Sequence, residues 1–151
     1  MISSQLNEKA IKTLKNTFGF SGYRYGQKEI VENILNEKQT LAVMPTGAGK
    51  SLCYQLPAVM SKKKTIVIAP LIALIEDQVS SLTECGVYVE KLHSNQYREE
   101  LNSSWNNFKN GKSNIIYISP ERLMTDNMIN NLKIFEIGLF VIDEIHCVSK
   151  W

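Results

Sequence analysis

Met44-Pro45-Thr46-Gly47-Ala48-Gly49-Lys50-Ser51 follows a short apolar run, Thr40–Met44, and leads into a helix-compatible stretch, Leu52–Met60. Gly47 and Gly49 let the backbone turn tightly and aim successive N–H groups inward. The positive end of the following helix faces the same space, so phosphate oxygens are favoured there. Lys50 can reach the outer phosphates of a nucleotide, and the Ser51 hydroxyl can ligate Mg²⁺. The usual form of this loop begins with Gly five residues before its second Gly, where this chain has Met44. The remainder, Gly-x-Gly-Lys-Ser, is intact, and average residue usage puts its chance occurrence in such a chain on the order of 1 in 200. An ordinary Gly-rich turn would not need a strand before it and a helix after it.

Outward from the loop, short runs rich in Val and Ile recur: Thr40–Met44, Thr65–Ala69, Val87–Leu92, Asn114–Ser119 and Gly138–Ile142. Most lack apolar–polar alternation, as strands buried on both faces do. Helical stripes lie between them. Ile30, Val31, Ile34 and Leu35 form one, and Leu71, Leu74, Ile75, Gln78, Val79 and Leu82 another. Leu123, Met128, Ile129 and Leu132 suggest a third. This alternation predicts an α/β domain with a parallel sheet flanked by helices, whose ligands gather at the carboxyl ends of the strands. The last run ends in Asp143-Glu144-Ile145-His146. Two acids after a buried strand are costly unless something uses them. Asp143 can hold Mg²⁺ alongside Ser51, and Glu144 can orient the water that attacks a γ-phosphate. Taken alone, the pair could instead cap the next turn.

Composition bounds the alternatives. The chain has 151 residues, 44% of them apolar and 21% charged, which is one globular domain's worth of sequence. Lys and Arg number 17 against 15 Asp and Glu, so any binding of a polyanion must come from a local patch. Lys62-Lys63-Lys64 is such a patch, although its place before the second run reads better as a solvated turn. No apolar run is long enough for a membrane span, and Met1–Ala10 lacks the apolar stretch of a signal peptide. Cys53, Cys85 and Cys147 include no close pair, which points to a reducing cytoplasm rather than a disulfide framework.

These features together resemble the RecQ family of superfamily 2 DNA helicases, over nearly the whole chain from Phe18. Phe18–Gln27 (FGFSGYRYGQ) is similar to the family's motif 0, and Met44–Pro57 (MPTGAGKSLCYQLP) to motif I. Ala69–Val79 (APLIALIEDQV) is similar to motif Ia, Tyr117–Leu123 (YISPERL) to motif Ib, and Asp143–Trp151 (DEIHCVSKW) to motif II and the start of an aromatic-rich loop. The departures are Tyr25 for the usual Pro, Ala69 for Ser, Ile145 for Ala and Lys150 for Gln. None removes a group that carries chemistry.

The resemblance implies a RecA-like P-loop NTPase domain truncated after the motif II strand, residues 1–151 being the first part of it. It implies an ATP-dependent DNA helicase with ATP and Mg²⁺ as cofactors, 3′–5′ translocation, and single-stranded and forked DNA as partners. Lys50, Asp143, Glu144 and His146 are then the catalytic set, with Ser51 and Asp143 at the metal. Thr46, Gly47, Ala48, Gly49, Lys50 and Ser51 cradle the triphosphate. Gln27 and Arg24 read adenine, with Phe20 or Tyr23 on its ring, although at least two of Phe18, Phe20, Tyr23 and Tyr25 are better read as packing. Pro70, Leu71, Arg122 and Trp151 are implied DNA contacts, with an ion pair as the alternative for Arg122. The family's motif III strand would lie between the phosphate-loop and motif II strands, so a gap in the sheet is expected. Residues 1–151 alone are expected not to unwind DNA. A non-catalytic nucleotide- or nucleic-acid-binding module and an RNA helicase of the DExH type are the competing readings.

Overall fold

The computed structural model describes residues 2–150, with residues 148–150 as backbone only. The chain divides into two compact units, residues 1–61 and 62–151.

The first unit is helical. Helix α1 (Ser4–Phe18) starts on Ser3, whose hydroxyl accepts the Leu6 N–H, and stops at Gly19, in the left-handed region at φ 73°. Gly19 and Phe20 return their N–H groups to Lys15 and Leu14, closing the last turn. Helix α2 (Gln27–Leu35) and helix α3 (Lys50–Met60) complete the unit. Ala10 and Leu14 of α1, Val31 of α2, and Leu52, Cys53, Leu56 and Met60 of α3 bury one another. Leu14 and Leu56 are fully buried, each contributing roughly 1.5–3 kcal/mol. Burial pushes the Cys53 thiol up to about 11, so it stays a neutral filler. The run Thr40–Met44, expected as a strand, is not one: it joins no sheet, and Leu41 and Val43 are 74% and 90% exposed. A strand needs a neighbour for its N–H and C=O groups, and the ladder of this structure includes no partner for this segment.

The second unit is a four-stranded parallel sheet in the order β2-β3-β1-β4. Its strands are β1 (Lys64–Ile68), β2 (Val89–Leu92), β3 (Ile115–Ile118) and β4 (Ile137–Ile142). They match four of the expected runs to within two residues at their starts. Register runs from Thr65 opposite Ile115 to Ile68 opposite Ile118, and Ile68 also faces Ile142. Helix α4 (Ile72–Glu84) carries the chain from β1 to β2, and helix α5 (Arg98–Lys109) brings it back to β3. The two crossovers run in opposite directions along the sheet, so right-handed connections put α4 and α5 on opposite faces. Phe108 of α5 packs with Ile66, Ile68, Ile116 and Ile118, and Trp105 and Phe135 stand against it at ring distances of 5.9 and 5.5 Å. The stripe Leu123–Leu132 is two short helices, α6 (Pro120–Leu123) and α7 (Met128–Leu132), rather than one. Asp126 and Asn127 lie in the turn that separates them. β4 forms an edge, and its outward residues Phe140 and Ile142 are half exposed, unlike β3 and residues 65–68 of β1, which are buried throughout.

Two polar clusters tie this unit together. Lys62 and Lys63 are exposed, as a solvated turn requires, and Lys63 pairs with Glu136 at 3.0 Å. Lys64 instead donates to the carbonyls of Phe108 and Ser113 and to Asn114 Oδ1, and its Nζ sits 4.4 Å from the Phe108 ring centroid. Its partners are dipoles and π-faces, and partial burial lowers its pKa. Glu76 of α4 reaches β2: it takes one hydrogen bond from Lys91 and lies 2.6 Å from Nε2 of His93, which is 2% exposed. The Asn95 N–H donates to His93 Nδ1 at 3.3 Å, so the neutral ring carries its proton on Nε2 and donates to Glu76. The hydrogen bond from Lys91, ahead of that from His93, holds the Glu76 carboxyl below its ordinary value.

Because the folded pKa of Glu76 is depressed, its stabilisation is present above the unfolded carboxylate value and is lost as pH falls through the folded one. Glu76→Ala should lower stability at pH 7 by about 1–2 kcal/mol, mostly by stranding the buried His93 N–H. The difference from wild type should shrink as pH falls below the carboxylate range. Thermal melts from pH 7 to pH 3 check both statements.

Candidate nucleotide and nucleic-acid site

In the first unit the phosphate loop ends where α3 begins, at Lys50. Gly47 and Gly49 both sit at φ 81°, in the left-handed region where side chains are strained. Gly49 is required twice over, since a Cβ there would lie 2.5 Å from Gln27 Nε2. It is the N-cap of α3 and offers no side-chain cap, so the first-turn N–H groups face the loop without a capping hydroxyl. Ala48 N–H closes the turn on Pro45 O at 3.1 Å. Residues 46–51 thus combine two left-handed glycines, a closed turn and a helix start.

Motif 0 lies against the same loop. Gln27 opens α2 and is 1% exposed. Its Oε1 accepts the Arg24 N–H at 2.7 Å, and its Nε2 donates to Gly49 O at 3.0 Å and to Ala48 O at 3.5 Å. The exposed Arg24 guanidinium donates to Gly47 O at 3.2 Å. The structure therefore brings Gln27 and Arg24 to the phosphate loop itself. The aromatics divide evenly. Phe18 and Tyr23 pack on the helical core, and burial raises the Tyr23 pKa. Phe20 is 44% exposed and Tyr25 fully so.

In the second unit the parallel strands deliver the remaining residues to one sheet edge. β1 runs into Pro70 and the 58%-exposed Leu71, β3 into Ser119, Pro120 and the half-buried Arg122, and β4 into Asp143. Asp143 is 5% exposed and extends the ladder through its N–H to Ile68 O at 2.8 Å. Its Oδ1 accepts the Glu144 N–H at 2.9 Å. Glu144 has φ 54°, unusual for a residue with a side chain. The turn is held by Cys147 N–H to Glu144 O at 2.8 Å, and His146 Nδ1 lies 3.3 Å from a Glu144 carboxylate oxygen. Trp151 lies outside the described residues.

Two residues at this edge were not singled out from sequence. His93 directly follows β2 in the Glu76 cluster, and the Ser119 hydroxyl is buried with no hydrogen-bond partner among the described residues. His93 directly follows the run Val87–Leu92 and Ser119 closes the run Asn114–Ser119, and that placement was the available signal. Among the described residues no group of three or more His, Cys, Asp or Glu side chains gathers as a cation cage. Among those residues no helix is long and apolar enough to cross a membrane.

The chain is 39% identical over 150 residues to the ATP-dependent DNA helicase RecQ of Haemophilus influenzae, covering 98% of this chain and 24% of that protein. It is 41% identical over 144 residues to the Bacillus subtilis protein of the same name, covering 95% and 24%. It is 42% identical over 147 residues to a probable ATP-dependent DNA helicase, RecS, of B. subtilis, covering 95% and 29%. The chain thus spans about a quarter of the length of these relatives. A crystal structure of a hypothetical ATP-dependent RNA helicase from Sulfolobus tokodaii superposes with a TM-score of 0.76 at 22% identity, over 95% of this chain and 43% of that one, which establishes the shared fold. A family model described as DEAD/DEAH box helicase matches residues 24–151, and the chain belongs to that family.

Proposed function

We propose that residues 1–151 are the front part of the first RecA-like domain of a cytoplasmic RecQ-type motor that couples ATP hydrolysis to 3′–5′ translocation along single-stranded and forked DNA. The observation that carries this reading is the phosphate loop, with Gly47 and Gly49 in the left-handed region and α3 starting at Lys50. Support comes also from relatives named as ATP-dependent DNA helicases that match nearly the whole chain.

In this reading the loop amides and Lys50 bind the β- and γ-phosphates. The Ser51 hydroxyl and Asp143 carboxylate are hard oxygen donors of the kind Mg²⁺ takes together with phosphate oxygens and water. When bound, that ion neutralises charge developing on the phosphates. Glu144 orients the attacking water and accepts its proton, and His146 steadies the Glu144 carboxylate. The left-handed backbone at Glu144 supports this role, because strain of this kind is characteristically kept at functional positions. Phe20 offers an exposed ring for a base. Pro70, Leu71 and Arg122, at the carboxyl ends of β1 and β3, meet the backbone of the strand.

Lys50→Ala in the intact protein should reduce DNA-stimulated ATP turnover by roughly 100-fold or more. Turnover close to wild type would remove the loop from the mechanism. Glu144→Gln keeps the volume and removes the base. Nucleotide affinity, measured by calorimetry, should stay within a few-fold of wild type while hydrolysis falls on the order of 100-fold. Loss of binding as well would make Glu144 structural.

A further inference from the structure

The backs of the loop peptides are held as deliberately as their fronts are presented. A peptide plane carries its C=O and the next residue's N–H on opposite sides, so fixing one fixes the other. The plane between Ala48 and Gly49 carries the Ala48 carbonyl and the Gly49 N–H, and the next carries the Gly49 carbonyl and the Lys50 N–H. Gln27 Nε2 donates to both carbonyls, at 3.5 and 3.0 Å. Arg24 holds the carbonyl one residue earlier, on Gly47, at 3.2 Å. The Ala48 and Gly49 carbonyls are thus gripped from the side opposite the Gly49 and Lys50 N–H groups, and Arg24 holds Gly47 O beside them.

Gln27 is suited to this task. Its Oε1 accepts the Arg24 N–H at 2.7 Å, so only the observed orientation of the carboxamide satisfies all its contacts. It is 1% exposed, and Gly49 lacks the Cβ that would collide with Nε2 at 2.5 Å. Its Nε2 already has acceptors within the protein, which a residue acting only on a base would not need.

We infer that Gln27 is a positioning residue for the phosphate loop, setting affinity for the triphosphate whatever base is attached to it. This deepens the nucleotide-site reading above and rests on it. The expectation from sequence, that Gln27 reads adenine, makes a different prediction: its loss should weaken ATP and leave bare phosphates untouched.

The test measures binding of magnesium tripolyphosphate, ATP and GTP to the intact protein by calorimetry. Wild type is compared with Gln27→Met, which removes the donors at similar length, and with Gln27→Asn, which keeps the amide one carbon too short. Melting curves without ligand identify variants that have not folded, and either variant alone suffices. Tripolyphosphate affinity should fall about tenfold, with ATP and GTP falling at least as far. A purely stabilising role would lower the melting temperature and leave tripolyphosphate affinity intact. Unchanged tripolyphosphate affinity, whether or not ATP binding falls, overturns the inference. Wild type that binds none of the three overturns the nucleotide site itself, a result distinct from wild type and variants that bind alike.

Discussion

Strand direction is the constraint from which the second unit follows. β1 is hydrogen-bonded on both sides, to β3 and to β4, and all strands run the same way. The carboxyl ends of four apolar runs therefore arrive at one edge, each followed by a residue with somewhere to be. Asp143 shows the tightness of this arrangement, since its own N–H still belongs to the ladder, on Ile68 O, while its carboxylate already caps the turn beyond. A slip in register would move the acid as a unit with the strand. Chemistry at such an edge inherits its precision from the backbone pairing beneath it.

The parts of the fold legible in the sequence were those where a local rule and the tertiary environment agree. Gly-x-Gly-Lys-Ser followed by an apolar stretch gave the loop and α3, because two left-handed glycines and a buried helix admit few alternatives. The runs Thr65–Ala69, Val87–Leu92, Asn114–Ser119 and Gly138–Ile142 became strands because each has a neighbour. Thr40–Met44 has similar composition and no neighbour, and composition cannot supply a hydrogen-bond partner. Helices α1 and α5 are the less legible ones. In α5 only Leu101, Trp105 and Phe108 mark the buried face of an otherwise polar segment. Those spacings of four and three were the available sign.

The site was legible as residue types and less so as contacts. Nothing in the sequence ties Gln27 to the carbonyls of residues 48 and 49, since the link depends on how α2 approaches the loop. Nor does it distinguish Lys64 from Lys62 and Lys63. That difference arises because β1 starts at Lys64 and points its amine among carbonyls and rings. Glu144 illustrates the same limit, because an Asp-Glu pair has no intrinsic preference for φ 54° and the turn to Cys147 imposes it.

The three cysteines give the molecule a built-in contrast for spectroscopic work. Cys53 is buried in the helical core with its thiol held protonated, Cys147 is partly covered, and Cys85 is exposed at the end of α4. A maleimide dye offered briefly near neutral pH therefore has one fast target, at the end of the helix that leaves β1. The natural sequence thus provides a reporter position on α4 without engineering, while the same thiol calls for a reductant during storage to prevent cross-linking between copies.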